Sequence, residues 1–250
     1  MTELESITSD GIATLTIRRP GRRNAIGADL VESLFSAFAR LDSDPHVRAI
    51  IITGAAPGFC AGSDLKELAE MDLAGMRAHE ARTAALARSI ALLDKPVVAA
   101  VDGFALGGGF VLAISCDIVV TAPEVRWHLP EVTIGWIPPW GLQALVARVG
   151  PVTARRLTWG TQPMDGREAH RLGIADFLAS EGRPVLDASL EHAGQLAALP
   201  PPAVASTKQF FAPLVSRSAE ADDAWANRLF AIDCGHSVAQ ATLKRFGVRT

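Results

Sequence analysis

KPVVAAVDGFALGGGFVLAISCDIVVT, residues 95–121, is the stretch that decides the fold. VVAAV (97–101) is a short, valine-rich apolar run, opened by Pro96 and closed by Asp102-Gly103, and reads as a buried strand. Gly107-Gly108-Gly109 follow it. FVLAISC (110–116) then reads as a buried helix and DIVVT (117–121) as the next strand. Strand, glycine turn, helix and strand in quick succession describe an α/β unit with helices layered on a sheet. Asp94, Lys95, Asp102 and Asp117 interrupt the apolar region from Leu92 to Val120. A membrane span needs about 20 nearly uninterrupted apolar residues, so the region is core.

The same alternation continues outward. IATLTI (12–17) sits between Gly11 and Arg18-Arg19-Pro20 and reads as a strand. ADLVESLFSAFARL (28–41) spaces Leu30, Leu34, Phe38 and Leu41 as the buried stripe of an amphipathic helix. VRAIIIT (47–53) is a second strand, 55–63 a loop rich in Gly, Ala and Pro, and 76–93 a helix. Beyond about residue 195 the strand signals stop. Helical ones remain at 203–215, 219–232 and 236–246, after the hinge Pro200-Pro201-Pro202. The expected organisation is a core over 1–195 and a helical module over 196–250, which needs the main body or another subunit to cover it.

Composition narrows the function. The 250 residues are 49% hydrophobic and 20% charged, with a formal net charge of −3. That balance lacks the basic excess of a nucleic-acid or membrane-surface protein. Cys60, Cys116 and Cys234 form neither a disulfide framework nor a zinc spacing, which points to a reducing compartment. The polar, acidic N-terminus does not read as a signal peptide. A cytoplasmic location is therefore expected.

Three segments carry chemistry. In FCAGSDLKEL (59–68) a small-residue loop runs into a helix. Such a loop leaves N–H groups unpaired and admits a ligand closely, although taken alone the segment reads first as an ordinary helix start capped by Ser63 or Asp64. The Gly107–Gly109 turn also exposes donors, or serves close helix–sheet packing. It is neither GxGxxG nor a GK[ST] phosphate cradle. In WHLPEVTIGWIPPWG (127–141), Glu131 is a carboxylate among apolar and aromatic residues. Such surroundings raise its proton affinity toward the range useful for proton transfer; the alternative is an ordinary surface glutamate.

Taken together, FCAGSDLKEL, KPVVAAVDGFALGGG, CDIVVTA and LPEVTIG resemble the crotonase, or enoyl-CoA hydratase/isomerase, superfamily. The resemblance runs from about Ile12 to Phe246 and includes LTWG (157–160) and LGIA (172–175). It implies a crotonase-like spiral of ββα units with a C-terminal helical module, assembling as a homotrimer or dimer of trimers. It implies an acyl-CoA thioester as substrate, CoA entering with it and no separate cofactor or metal. The backbone N–H groups of Ser63 and Gly108 would form an oxyanion hole. Glu131 would be the acid–base group.

Further residues follow from the same resemblance. Ala25, Ile26, Ala61 and Gly62 would line the pantetheine and adenine path. Asp64, Lys66, Gly107 and Val111 would border the substrate, while Trp127, Trp136 and Trp140, read from their bulk rather than from the resemblance, would wall the acyl pocket or else belong to the core or an interface. Arg22, Arg23, Lys66, Lys244 and Arg245 are candidates for the CoA phosphates. The family's hydratases carry a second glutamate where this sequence has Val111. One carboxylate suits double-bond migration better than water addition, so an isomerase-type shuttle through Glu131 is expected, with hydration or decarboxylation as alternatives. His128 is expected to face away. A non-catalytic RNA-binding role is disfavoured, because Lys66, Arg77, Arg82 and Arg88 are interleaved with Glu67, Glu70, Asp72 and Glu80.

Overall fold

In chain order the strands are β1 (Leu4–Ser9), β2 (Ile12–Ile17), β3 (Ala49–Gly54), β4 (Val97–Val101), β5 (Phe104–Leu106), β6 (Ile118–Thr121), β7 (Arg126–His128) and β8 (Phe177–Leu178). The helices are α1 (Ala28–Ser43), α2 (Leu65–Glu70), α3 (Leu73–Ile90), α4 (Gly108–Ile114), α5 (Leu142–Thr158), α6 (Gly166–Arg171), α7 (Val185–Ala197), α8 (Pro201–Ser216), α9 (Ala219–Asp233) and α10 (Ser237–Gly247). They belong to a computed structural model that describes residues 3–247.

The main sheet runs β1-β2-β3-β4-β6-β8. Only β1 with β2 is antiparallel; the other pairs are parallel. β3 and β4 are buried on both faces, which is why AIIIT and VVAAV are unbroken apolar runs rather than alternating ones. Each long strand leads to a short extended stub in a second, small sheet. The stubs pair as Ile26 with Ser63, Cys60 with Ala105, β5 with β7 and Trp127 with Met164. This arrangement is the spiral of strand–stub–helix units expected from the sequence. The small sheet matters for function because it sets the two glycine-bearing turns side by side.

Some expected boundaries move for physical reasons. α3 begins at Leu73 rather than 76, because the Asp72 carboxylate caps it by accepting the Gly75 N–H at 2.7 Å. β1 was not expected at all. LESITS is polar and largely exposed, and as an edge strand it is held by backbone pairing with β2 rather than by burial.

α7 lies against β2, β3, β4 and β6 and runs to Ala197, so the 195/196 division falls inside it. α9 packs on α3 and α5, and α10 on α2. The C-terminal helices are thus covered largely by their own chain. Leu68, Met76, Trp136, Phe230, Cys234 and Ala239 form the contact, with Trp136 edge-on to Phe230 at 5.9 Å. α8 is pinned by Lys208, whose Nζ donates to the Ile90 and Lys95 carbonyls (3.0 and 2.8 Å) and to Asp117 Oδ2 (2.8 Å). The outer face of α8 leaves Phe210, Phe211 and Leu214 exposed.

Candidate active site

The loop from 55 to 63 carries almost no regular structure, so side chains and neighbouring stubs hold it. Asn24, fully buried, donates from Nδ2 to the Ala55 and Gly58 carbonyls (2.6 and 2.7 Å). Phe59 N–H donates to the Asp102 carbonyl at 2.9 Å, and Cys60 O accepts from Leu106 N–H at 3.0 Å. Ile26 brackets the end of the loop: its N–H donates to Gly62 O (2.8 Å) and its carbonyl accepts from Asp64 N–H (2.9 Å). Asp64 caps α2 by accepting the Lys66 and Glu67 N–H groups, and pairs with Arg19 at 3.2 Å. Arg19 also reaches Glu3 and Glu67.

That network uses nearly every amide around Ser63 and leaves the Ser63 N–H itself without a protein acceptor among the described residues. Across the small sheet, Gly107 N–H donates to His128 O at 2.9 Å, whereas Gly108, the first residue of α4, also has an unpartnered N–H. The two turns touch. A methyl placed on Gly62 would sit 2.9 Å from the Gly108 nitrogen, and one on Gly108 would sit 3.5 Å from the Ser63 nitrogen. Gly107, at φ +53°, turns the chain into α4 directly beneath Glu131, whose Oε1 would lie 2.7 Å from a Cβ there.

A cavity of about 60 Å³ opens at this junction. Its lining includes Gly62, Ser63, Gly107, Gly108 and Val111 together with Glu131, Trp136 and Trp140. Glu131 opens a short 3-10 helix (Glu131–Ile134) and is only 7% exposed. Its Oε2 has no hydrogen-bond partner among the described residues. Burial, reinforced by the neighbouring Glu80 carboxylate and partly offset by its own backbone N–H, pushes its pKa up to about 8.

Glu80 is the residue that sequence reasoning misplaced. It was grouped with the mixed surface charges of 66–88; instead it projects from α3 into the same cavity and is 2% exposed. The indole N–H of Trp140 donates to its Oε2 at 2.7 Å. Burial pushes its pKa up, against His79, the Ser63 hydroxyl and Trp140, which favour the ionised form. The site therefore holds two carboxylates, and the one-carboxylate premise for preferring double-bond migration fails. A signal was present: Met76, Glu80, Ala84 and Ala87 follow one helical stripe, and Glu80 is the charge on its buried side.

Other expected residues lie apart from the cavity. Ala25 and Ile26 are buried outside it, Ile26 acting through its backbone. Asp64 spends its carboxylate on the α2 cap and Arg19, and Lys66 is exposed on α2. Trp127 belongs to the core, edge-on to Phe110 at 5.1 Å, with its indole N–H on Thr121 Oγ1. His128 faces away, its Nε2 2.8 Å from the Gly160 carbonyl. Arg22 lies 3.6 Å from Asp64, and Arg23 stacks over Phe104. A surface cleft of about 740 Å³ between α2 and α10 shares Leu68 with the small cavity and is bordered by Lys244.

Comparison with known proteins gives a consistent picture. A family model described as Enoyl-CoA hydratase/isomerase matches residues 7–246. Over 200 residues the chain is 35% identical to a short-chain-enoyl-CoA hydratase of Clostridium acetobutylicum, spanning 79% of this chain and 76% of that one. It is 36% identical over 199 residues to a 2,3-dehydroadipyl-CoA hydratase of Escherichia coli, with coverages of 79% and 75%. The crystal structure of an enoyl-CoA hydratase/isomerase from Mycobacterium paratuberculosis superposes with a TM-score of 0.88 at 26% identity, covering 98% of each chain.

Proposed function

Given that the chain belongs to the enoyl-CoA hydratase/isomerase family, we propose that it forms thioester enolates from enoyl-CoA substrates, with the carbonyl oxygen held by the Ser63 and Gly108 N–H groups and Glu131 carrying the proton at C2. The observation that carries this reading is the pair of unpartnered amides at one cavity with a buried carboxyl beside them. Negative charge develops on the thioester oxygen whether a nucleophile adds at C3 or a proton leaves C2. Fixed main-chain donors meet that charge without reorganising, and one such donor is worth about 3–4 kcal/mol. A carboxyl raised to about 8 is mostly protonated near neutrality and so is ready to deliver a proton to C2.

Water addition is the reaction favoured, supported by two carboxylates at the cavity and by the hydratases among the relatives. Double-bond migration is the second reading, favoured by Val111 at the position of the hydratases' usual second glutamate. Lys66 on α2 and Lys244 or Arg245 on α10 are exposed cations available to the CoA phosphates. The exposed apolar face of α8 supports the expected self-association into trimers. The test is a panel of 2-enoyl- and 3-enoyl-CoA thioesters, with hydration and migration followed separately. Hydration of a short 2-enoyl-CoA is expected to dominate. Inactivity toward every thioester, including no exchange of C2 protons with solvent, would refute the reading.

A further inference from the structure

Building on the acyl-CoA reading above, we propose that Glu80 is the second acid–base group of this site: it holds and deprotonates the water that adds at C3, while Glu131 delivers the proton to C2. Glu80 reaches the cavity from α3, a different element from the α4 position that Val111 occupies. Val111 leaves an apolar wall there, packed so closely that a Cβ on Gly141 would strike its Cγ1. The second carboxylate is thus relocated to another helix rather than missing.

The division of roles follows from the donors. Trp140 Nε1–H donates to Glu80 Oε2, and the Ser63 hydroxyl also favours its anion. Glu131 Oε2 meets no donor. Two buried carboxyls at one cavity repel and share a proton. Glu80, which side-chain donors from Trp140 and Ser63 favour as an anion, holds the charge, and Glu131, helped only by its own backbone N–H, holds the proton, which leaves Glu80 as base and Glu131 as acid. The other groups near Glu80 do not compete. His79, the preceding residue of α3, favours the Glu80 anion, and the Cys234 thiol at the C-cap of α9, pushed up to about 11, stays neutral.

The step balances within the site. Water gives one proton to Glu80 as its oxygen bonds to C3. The C2=C3 π pair becomes the C1=C2 bond of the enolate as the carbonyl π pair moves onto the thioester oxygen. The enolate then takes the Glu131 proton at C2, so the pair ends, as it began, with one proton, now on Glu80.

Two readouts on the intact protein test this: hydration of a short 2-enoyl-CoA, and exchange of C2 protons of the saturated acyl-CoA in D₂O followed by NMR. Glu80→Gln is expected to lower hydration at least about 100-fold while exchange persists. Exchange needs ionised Glu131, so its midpoint lies at about pH 8 in the native protein. It moves to lower pH in Glu80→Gln, because a repelling charge is gone. Glu80→Asp shows the same split with a smaller loss of hydration. Native-like hydration in Glu80→Gln, or parallel loss of hydration and exchange in both variants, would overturn the assignment. Absence of both reactions in the native protein would instead remove the family reading beneath it.

Discussion

Glu131→Gln is expected to lower turnover of 2-enoyl-CoA by at least about 100-fold and to abolish C2 exchange, because the amide can neither give nor take the proton at that carbon. The same change is expected to make the protein more stable. Glu131 has a folded-state pKa of about 8, well above its unfolded value, so the folded chain binds the proton more tightly. Between the two values the native state holds a proton that the unfolded state has lost, and stability falls as pH rises. By pH 7 that loss amounts to roughly 3 kcal/mol. Urea unfolding should therefore give a higher midpoint for Glu131→Gln at pH 7–8, and the two proteins should converge near pH 4. An unchanged turnover, or a variant less stable at pH 8, would contradict this account.

Gly62→Ala is expected to cost about 100- to 1000-fold in kcat, the scale for losing one oxyanion donor. Gly62 has φ +89°, a conformation side chains rarely adopt, and an added methyl would meet the Gly108 nitrogen and the Leu106 carbonyl, each at 2.9 Å. Both contacts are backbone, so no side chain can swing aside to relieve them. The methyl also sits at the nitrogen from which Gly108 is to reach the substrate oxygen. A fall in kcat with little change in KM would locate the loss in the transition state. A rise in KM alone would place Gly62 in binding only.

The sequence exposed the parts of this molecule whose physics is local. Valine- and isoleucine-rich runs at 49–53 and 97–101 are sandwiched strands, and Gly107 turns the chain into α4, which Gly108 and Gly109 open. Long-range geometry was less legible. β1 is specified by its partner rather than by its own residues. The small sheet is assembled largely from single-residue bridges, which leave no periodicity to detect. Glu80 stands among real surface charges such as Arg77 and Arg82, and only the closure of α9 and the Trp140 indole make it a buried carboxyl. Reading Val111 as the loss of a carboxylate was correct for one helix and wrong for the cavity.

All three cysteines are buried, and burial pushes Cys60 up to about 12, Cys234 up to about 11 and Cys116 higher still. A sulfur so hidden and so firmly protonated ignores alkylating reagents until the chain around it parts. Cys234 lies at the end of α9 beneath the C-terminal roof, Cys60 behind the 55–63 loop, and Cys116 between α4 and β6. The native chain thus contains three silent clocks. The order in which they start to run tells whether the roof, the loop or the sheet breathes first.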